Sequence, residues 1–398
     1  RKFAAKLIKM NLTERKPVIA INTRHWIAGG MEGIGRFEMN IATELSRLHP
    51  EAEFHWLFDR RPKLDMTVPE NVKIHVLFPP ARTPGLIKIW NDFQIPRLLK
   101  KIEADIYLSP DNMNSLRTSC TTVPVIHDIN FEHYPFDLPL KYSRFYRKYT
   151  PLFIEKAAHV VTVSEFSKND IIEQYGTSEE KISVVYNGVA DHFGPLNSKI
   201  ISDTRFHYTK GKPYFFALGS IHPRKNLVKT IEAYTIFREQ TKCDFPLVVS
   251  GRELFVNKNL GNVISNNPFK KDIVFTGYLD NNALGEALGS AFALLYLSVF
   301  EGFGVPVIEA FASNVPVIAS DVSSIPEVAG NAALLANPHD TASIVASMRL
   351  LVENDSLRTD LCEKGMQRAV LFSWQASAQK MWQIIEKVLE NPDFMGGQ

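Results

Sequence analysis

Short unbroken apolar runs recur along the chain. They are PVIAINT (17–23), EFHWLFD (53–59), VKIHVLF (72–78), DIYLSP (105–110), VPVIHDI (123–129), HVVTVS (159–164) and ISVVYNG (182–188), then PYFFALG (213–219), FPLVVSG (245–251), DIVFTGY (272–278), FALLYLS (292–298) and PVIASD (316–321). A strand with one face in water alternates apolar and polar residues, whereas a strand covered on both faces does not. These runs therefore predict parallel strands enclosed between helices. The segments between them, such as GIGRFEMNIATELSRL, NLVKTIEAYTIFREQ and DTASIVASMRLLVEN, carry helical periodicity. Alternation of this kind builds doubly wound α/β units, and the pattern runs through twice.

Length agrees, since 398 residues exceed one ordinary core. The tract ADHFGPLNSKIISDTRFHYTKGKP is polar, holds Gly194-Pro195 and Gly211, and predicts a linker. In the C-terminal SWQASAQKMWQIIEKVLEN, Trp374, Ala378, Met381, Trp382, Ile385 and Leu389 share one stripe, expected to lie back across the first domain. The expected domains are residues 1–194, completed by a helix at 375–398, and residues 195–374. The fold class expected is α/β, two Rossmann-like doubly wound domains facing a cleft. Open parallel sheets bind ligands beyond the carboxyl ends of their strands, so chemistry belongs in the loops that follow strands.

Bulk properties remove several functions. A formal charge of +2 gives no basic surface for nucleic acid. Cys120, Cys243 and Cys362 lie far apart with no metal or disulfide spacing, which fits a reducing compartment. No apolar run approaches the roughly 20 residues of a spanning helix. The start, RKFAAKLIKMNLTERK, is too short and too charged for a signal sequence, so a cytoplasmic location is expected.

Four stretches carry candidate chemistry. HWIAGGMEGIGRFEMN places Gly29, Gly30, Gly33 and Gly35 as a loop before a helix, where backbone can approach a ligand and the helix N-terminus favours an anion. The spacing is not the dinucleotide GxGxxG, and a plain tight turn is the alternative. VPVIHDINFEHYPFDLP ends a strand with His127-Asp128. His127 there can exchange a proton or hydrogen bond with a sugar hydroxyl, or it is a satisfied structural residue. There is no DxD pair to hold a metal on a nucleoside diphosphate, so no metal is expected and the charge facing phosphates must come from side chains. ALGSIHPRKNLVKTIEAY supplies that charge: Gly219 and Ser220 close a strand, and Arg224-Lys225-Asn226 stand at a helix start. The alternative is a solvated basic loop.

The fourth stretch is SVFEGFGVPVIEAFASNVPVIASD. Pro306 suits a first helical turn, so Glu301 is expected in the preceding loop and Glu309 on the helix's first turn. A carboxylate accepts from two hydroxyls at once, which suits the diols of a hexose and a ribose. A glycosidase pair is the rival, but that chemistry needs two carboxyls flanking one bond. Gly302 and Gly304 let amides approach a ligand. Ser324-Ile325-Pro326-Glu327 reads as a capping box, which makes Glu327 structural.

Taken together, GIGR (33–36), HD (127–128), VSEFSKNDI (163–171), YNGV (186–189), PRKN (223–226), FTGYL (275–279), EGFGVPVIEAFASNVPVIASD (301–321) and PEVAGNAALLANP (326–338) resemble the GT-B retaining glycosyltransferases of family four, which include bacterial mannosyl- and glucosyltransferases of surface polysaccharides. The resemblance implies a donor held mainly by the second domain. Glu309 would bind the ribose, and Glu301 the donor sugar beside Gly302, Phe303 and Gly304. Arg224 and Lys225, beyond Gly219, would neutralise the diphosphate with help from amides near Gly33. Gly277 and Tyr278 would border the base, and His127 would lie near sugar and acceptor. It further implies hexose transfer, with GDP-mannose the favoured donor and a UDP-sugar the alternative. The acceptor would be a saccharide or lipid-linked saccharide, with no cofactor beyond the donor. Many members carry an arginine where this chain has Ser220, which concentrates the phosphate charge on Arg224 and Lys225.

Two readings stay open for LKYSRFYRKYTPLF (140–153), which groups Tyr142, Phe145, Tyr146 and Tyr149 opposite Lys141, Arg144, Arg147 and Lys148. One is peripheral docking on an anionic bilayer; the other is an aromatic core face with a solvated back. The rival functions are a sugar-nucleotide epimerase of the same architecture and a catalytically silent binding subunit. A nicotinamide dehydrogenase fits less well, because the glycine spacing is wrong.

Overall fold

The computed structural model describes residues 15–27, 31, 33–64, 66–252 and 258–391. It divides into a first domain, residues up to Asn187 together with those from Trp374, and a second, Gly188–Ser373. Gly29 and Gly30 lie outside the described residues.

In the first domain β1 (Val18–Asn22), β2 (Glu53–Phe58), β3 (Val72–Val76), β4 (Ile106–Ser109) and β5 (Thr121–Pro124) form one parallel sheet in the order β3-β2-β1-β4-β5. A parallel bridge between Val125 and Val161 passes it on to β6 (Val160–Thr162), which pairs with β7 (Ile182–Val184). Inner strands such as β4 are buried along their whole length, as unbroken apolar runs require, while edge strand β3 exposes Lys73 and Ile74. The second domain repeats the plan with β8 (Phe215–Leu218), β9 (Leu247–Ser250), β10 (Ile273–Gly277), β11 (Ala293–Tyr296), β12 (Val317–Ser320) and β13 (Leu334–Ala336), ordered β10-β9-β8-β11-β12-β13. All the expected strands form, and β13 is an addition too short to show periodicity. Strand order reverses between β1 and β4 in one sheet and between β8 and β11 in the other. Loops leaving the two strands at such a reversal diverge to opposite faces and leave a crevice between them.

The first helix, α1 (Gly33–Leu48), buries Phe37, Glu38, Ile41, Ala42 and Leu45. Of the glycines expected in a loop, Gly33 and Gly35 open this helix instead: Gly33 is its first residue, and a methyl group on Gly35 would lie 2.4 Å from the His25 carbonyl oxygen. Gly35 therefore lets α1 pack directly against the chain leaving β1. In α2 (Leu140–Lys156), Phe145 and Phe153 enter the core with Tyr146 and Tyr149 packed beside them, while Lys141, Arg144, Arg147 and Lys148 are exposed. The core-face reading holds for these rings. No described helix is long and apolar enough to cross a membrane.

The tract expected to be a linker contains a helix, α3 (Ser198–Thr209). Asn197 Oδ1 accepts from the Ile200 amide at 2.9 Å, and Lys210 ends the helix in the left-handed region at φ 56°. Its inward residues include Thr204 and Thr209, so apolar periodicity gave no sign of it. After α4 (Leu227–Gln240) and α5 (Val305–Ala312), the chain closes with α6 (Trp374–Glu390), which lies on α1 in the first domain as the stripe predicts. There Trp374 meets Phe37 edge-on at 5.7 Å, and Trp382 stacks on His49 at 3.8 Å. Val388 rather than Leu389 is the last fully buried residue of the stripe.

Burial also lowers the pKa of His55, His75 and His159 in the first domain. His159, bonded to Ser183 Oγ at 2.8 Å, has its pKa pushed down to about 4 by desolvation, with Lys387 and Lys181 adding to the effect. His55 and His75, 2.7 Å apart, are lowered chiefly by burial as well. A group with a depressed native pKa takes up more protons when unfolded, so its contribution is complete above its ordinary value and disappears as pH falls. The melting temperature is therefore expected to decline as pH drops from 6.5 toward 4, and His159→Asn to decline less steeply. Equal slopes for the two proteins would remove His159 as a cause.

Candidate functional site

The main constellation forms where the second sheet reverses. β8 ends at Leu218, and Gly219, at φ 141°, donates its amide to the Ser250 carbonyl at 3.0 Å. A methyl group on Gly219 would press on Lys225 Cδ and Cε at 3.2 Å, so the Lys225 stem lies directly over this glycine. Pro223–Lys225 make one 3₁₀ turn, with the Arg224 amide donating to His222 Nδ1 at 3.2 Å. Asn226, left-handed at φ 57°, donates Nδ2 to the carbonyls of Leu297 at 3.0 Å and Pro338 at 2.7 Å. That ties the basic turn to the strand end opposite.

From the other side of the reversal comes the loop after β11. Arg224 Nη1 donates to the Phe300 carbonyl at 2.7 Å and to Glu301 Oε2 at 2.8 Å. Lys225 Nζ donates to Glu301 Oε1 at 2.6 Å and to the Tyr296 hydroxyl at 3.1 Å. Glu301 is 7% exposed. Burial alone would raise its pKa, but the charges of Arg224 and Lys225 more than offset this and hold it at about 2. Tyr296 is pushed the other way, by burial first and by Glu301 second. The structure thus brings the cations and the first glutamate into one ionised cluster, where the sequence suggested separate contacts. Both oxygens of Glu301 accept from the groups expected to face phosphate.

Glu301 is held from behind by two serines, Ser323, which the sequence did not single out, and Ser324, which it assigned to a helix cap. Its amide donates to Ser323 Oγ at 3.1 Å, and Ser324 Oγ shares its one proton between the carbonyls of Glu301 and Phe303, each at 2.9 Å. This corrects the capping box: Ser324 is in the helical region and makes no side-chain cap. The S-x-x-E spacing matched, but the hydroxyl is used by the Glu301 loop. Ser324→Ala would leave two buried carbonyls without that donor, a loss of about 1–3 kcal/mol. The expected result is a lower urea midpoint together with a lower kcat. Unchanged kcat would show that the loop keeps its geometry without Ser324.

Gly304, at φ 103°, precedes α5, and a methyl group on it would meet Ile325 Cδ1 at 2.5 Å. Glu309 is buried and is the fifth residue of α5, hence on its second turn and not its first. Phe303 turns its ring into the core against Phe372, with centroids 5.6 Å apart, so its side chain is not offered to a ligand. At the edge of the sheet Gly277 is left-handed at φ 71°, and Tyr278 is exposed beneath the Arg252 guanidinium at 4.3 Å. Gly251 was missed. It donates to the Gly277 carbonyl at 3.0 Å, and a methyl group on it would lie 1.9 Å from the Gly219 oxygen. The available signal was repetition, since β8, β9 and β10 each run into a glycine.

In the first domain His127 is buried, and its Nε2–H donates to the Pro110 carbonyl at 2.9 Å. Nδ1 is therefore the ring's acceptor, and burial lowers the pKa. Phe37 meets the ring edge-on at 4.9 Å. The histidine is thus a fixed neutral acceptor and not an open acid. Gly33 leaves open space for a side chain, so nothing steric demands glycine there.

Two parallel doubly wound domains, with an acid and two cations meeting at a reversal of strand order, define a GT-B glycosyltransferase. Residues 31–193 match Glycosyltransferase Family 4 and residues 202–368 match Glycosyl transferases group 1. The chain belongs to the glycosyltransferases that join these two domains. It is 26% identical over 356 residues to O-antigen chain mannosyltransferase B of Escherichia coli, covering 87% of this chain and 93% of that protein. With O-antigen chain mannosyltransferase RfbU of Salmonella typhimurium it shares 34% identity over 220 residues, 55% of this chain and 57% of the other. In fold it is similar to sucrose-phosphate synthase from Thermosynechococcus elongatus, with a TM-score of 0.74 at 14% identity, covering 94% of this chain and 99% of that one.

Proposed function

We propose that this glycosyltransferase moves mannose from GDP-mannose to a saccharide acceptor, lipid-linked in the setting of surface-polysaccharide synthesis, with retention of anomeric configuration and without a metal at the diphosphate. The observation that carries this reading is the buried Arg224–Glu301–Lys225 cluster at the reversal of the second sheet. The choice of mannose follows the names of the two mannosyltransferase relatives.

In this reading the anomeric carbon gains positive character as the diphosphate leaves, and Arg224 and Lys225 take up the developing charge. Glu301 exchanges part of its pairing for the sugar hydroxyls, and Glu309 holds the ribose diol. A carboxylate held at about 2 by two cations is a poor nucleophile, so Glu301 is not assigned a covalent role. The acceptor hydroxyl attacks from the side the phosphate leaves, and the departing phosphate takes its proton. His127, an acceptor at Nδ1, is assigned to a sugar hydroxyl.

Thermal shift with GDP, UDP and ADP tests the donor, since at equal dose the nucleotide that binds the native state more tightly stabilises it more. GDP is expected to give the largest rise, with the same dissociation constant in magnesium and in chelator. A larger rise with UDP would overturn the guanine choice, and a chelator-sensitive constant the metal-independent one. Radiolabelled GDP-mannose should then yield a glycosylated acceptor. Free nucleotide and altered sugar with no acceptor consumed would overturn transfer.

A further inference from the structure

Where the first sheet reverses, between β1 and β4, buried polar groups gather. Arg24, just past β1, donates Nε to Asp111 Oδ2, and Ser109 Oγ donates to Asp111 Oδ1 at 2.9 Å. Glu38 faces them from α1, fully buried, with Oε2 accepting from the His25 amide at 2.8 Å. Among the described residues, two buried side-chain atoms here have no hydrogen-bond partner: Glu38 Oε1 and His25 Nε2. Together with a carboxylate oxygen of Asp111 they lie within 4.8 Å of one another.

We propose that His25 Nε2, Glu38 Oε1 and an Asp111 carboxylate oxygen ligate one divalent cation of the zinc or manganese class. A buried polar atom without a partner costs about 1–3 kcal/mol, and native proteins seldom leave two side by side. The two atoms make no hydrogen bond to each other, and with the Asp111 oxygen they lie within 4.8 Å of one another, so a small closure brings all three to bonds of about 2.0–2.2 Å around one ion. One nitrogen with carboxylate oxygens selects zinc or manganese over the oxygen-only preference of calcium and magnesium.

The outer partners are in place. Arg24 and Ser109 orient Asp111, and the His25 amide orients Glu38. Gly35 sets the approach, because a side chain there would push α1, and Glu38 with it, off the His25 backbone. The ion is structural: it joins the end of β1 to the start of α1 and takes no part at the diphosphate.

The test uses the full chain without a purification tag. Metal content is measured after purification free of chelator, and stripped protein is then titrated with zinc and manganese by calorimetry and melting. About one equivalent per chain is expected, with a rise of at least ~5 °C on adding back the ion, both lost in Glu38→Gln and His25→Gln. The ratio of bound ion to chain decides even where one variant fails to fold. No saturable uptake by the stripped wild-type chain would assign the gap to water and overturn the proposal. Undiminished uptake by the two glutamine variants would place the ion elsewhere and overturn it equally.

Discussion

Glu301→Gln is expected to bind a nucleoside diphosphate about tenfold more tightly than the wild-type chain, while transferring sugar at least about a hundredfold more slowly. Removing a binding-site residue ordinarily weakens binding. Here the carboxylate accepts from Lys225 at 2.6 Å and from Arg224 at 2.8 Å, so it competes with phosphate oxygens for the same N–H groups. An amide of the same shape carries no charge to compete with. Without ligand the variant leaves two largely buried cations short of a counter-charge, a loss of about 3 kcal/mol, so its melting temperature should fall. Saturating nucleotide should then restore more stability than it adds to the wild type. Turnover falls because the amide cannot hold sugar hydroxyls as a charged acceptor or balance the cations once the phosphate departs. Calorimetry with GDP and initial transfer rates measure the two effects separately. Weaker nucleotide binding by the variant would show that the cluster does not compete with phosphate.

Lys225→Ala is expected to lower kcat about a hundredfold, the loss of one charged contact to a developing anion at about 3 kcal/mol. The lysine stem lies over Gly219 and its amine reaches both Glu301 and Tyr296, so no neighbour can take its place without moving the strand end. Glu301 loses one of the two cations that hold its pKa at about 2, and the pH at which activity falls on the acid side should rise. The sign follows from the native shift: a carboxylate depressed by its partners stays ionised to lower pH only while they remain. Lys225→Arg keeps charge but not shape, and should recover part of the rate. Turnover near wild type in Lys225→Ala would remove the lysine from the leaving-group side.

Much of the frame was legible because it depends on local pattern. Each unbroken apolar run became a parallel strand, and the stripe from Trp374 to Ile385 became a helix on the first domain. The residues of the cluster were also readable as candidates, but their pairing was not. Arg224 and Glu301 are joined only because β8 and β11 are neighbours, and no local pattern states which strands adjoin. Ser324 was misread for a related reason: the capping spacing is genuine, yet the residue is helical and its hydroxyl is turned to carbonyls of a distant loop and away from the helix amide. The helix at Ser198–Thr209 was hidden by inward threonines. Glu38 was overlooked because it sits on the apolar face of α1, where periodicity counts an acid as noise.

The return of α6 to α1 has a consequence for biosynthesis. Phe37 and His49 wait for Trp374 and Trp382, yet all of Gly188–Ser373 is translated in between. At roughly 5–20 residues per second a ribosome needs on the order of ten seconds or more to cover that interval. Through it the earlier domain stands partly uncovered while the later one can already close. A nascent chain stalled before Trp374 should thus be a good client for chaperones that hold apolar surface, and release of the last helix should end that association.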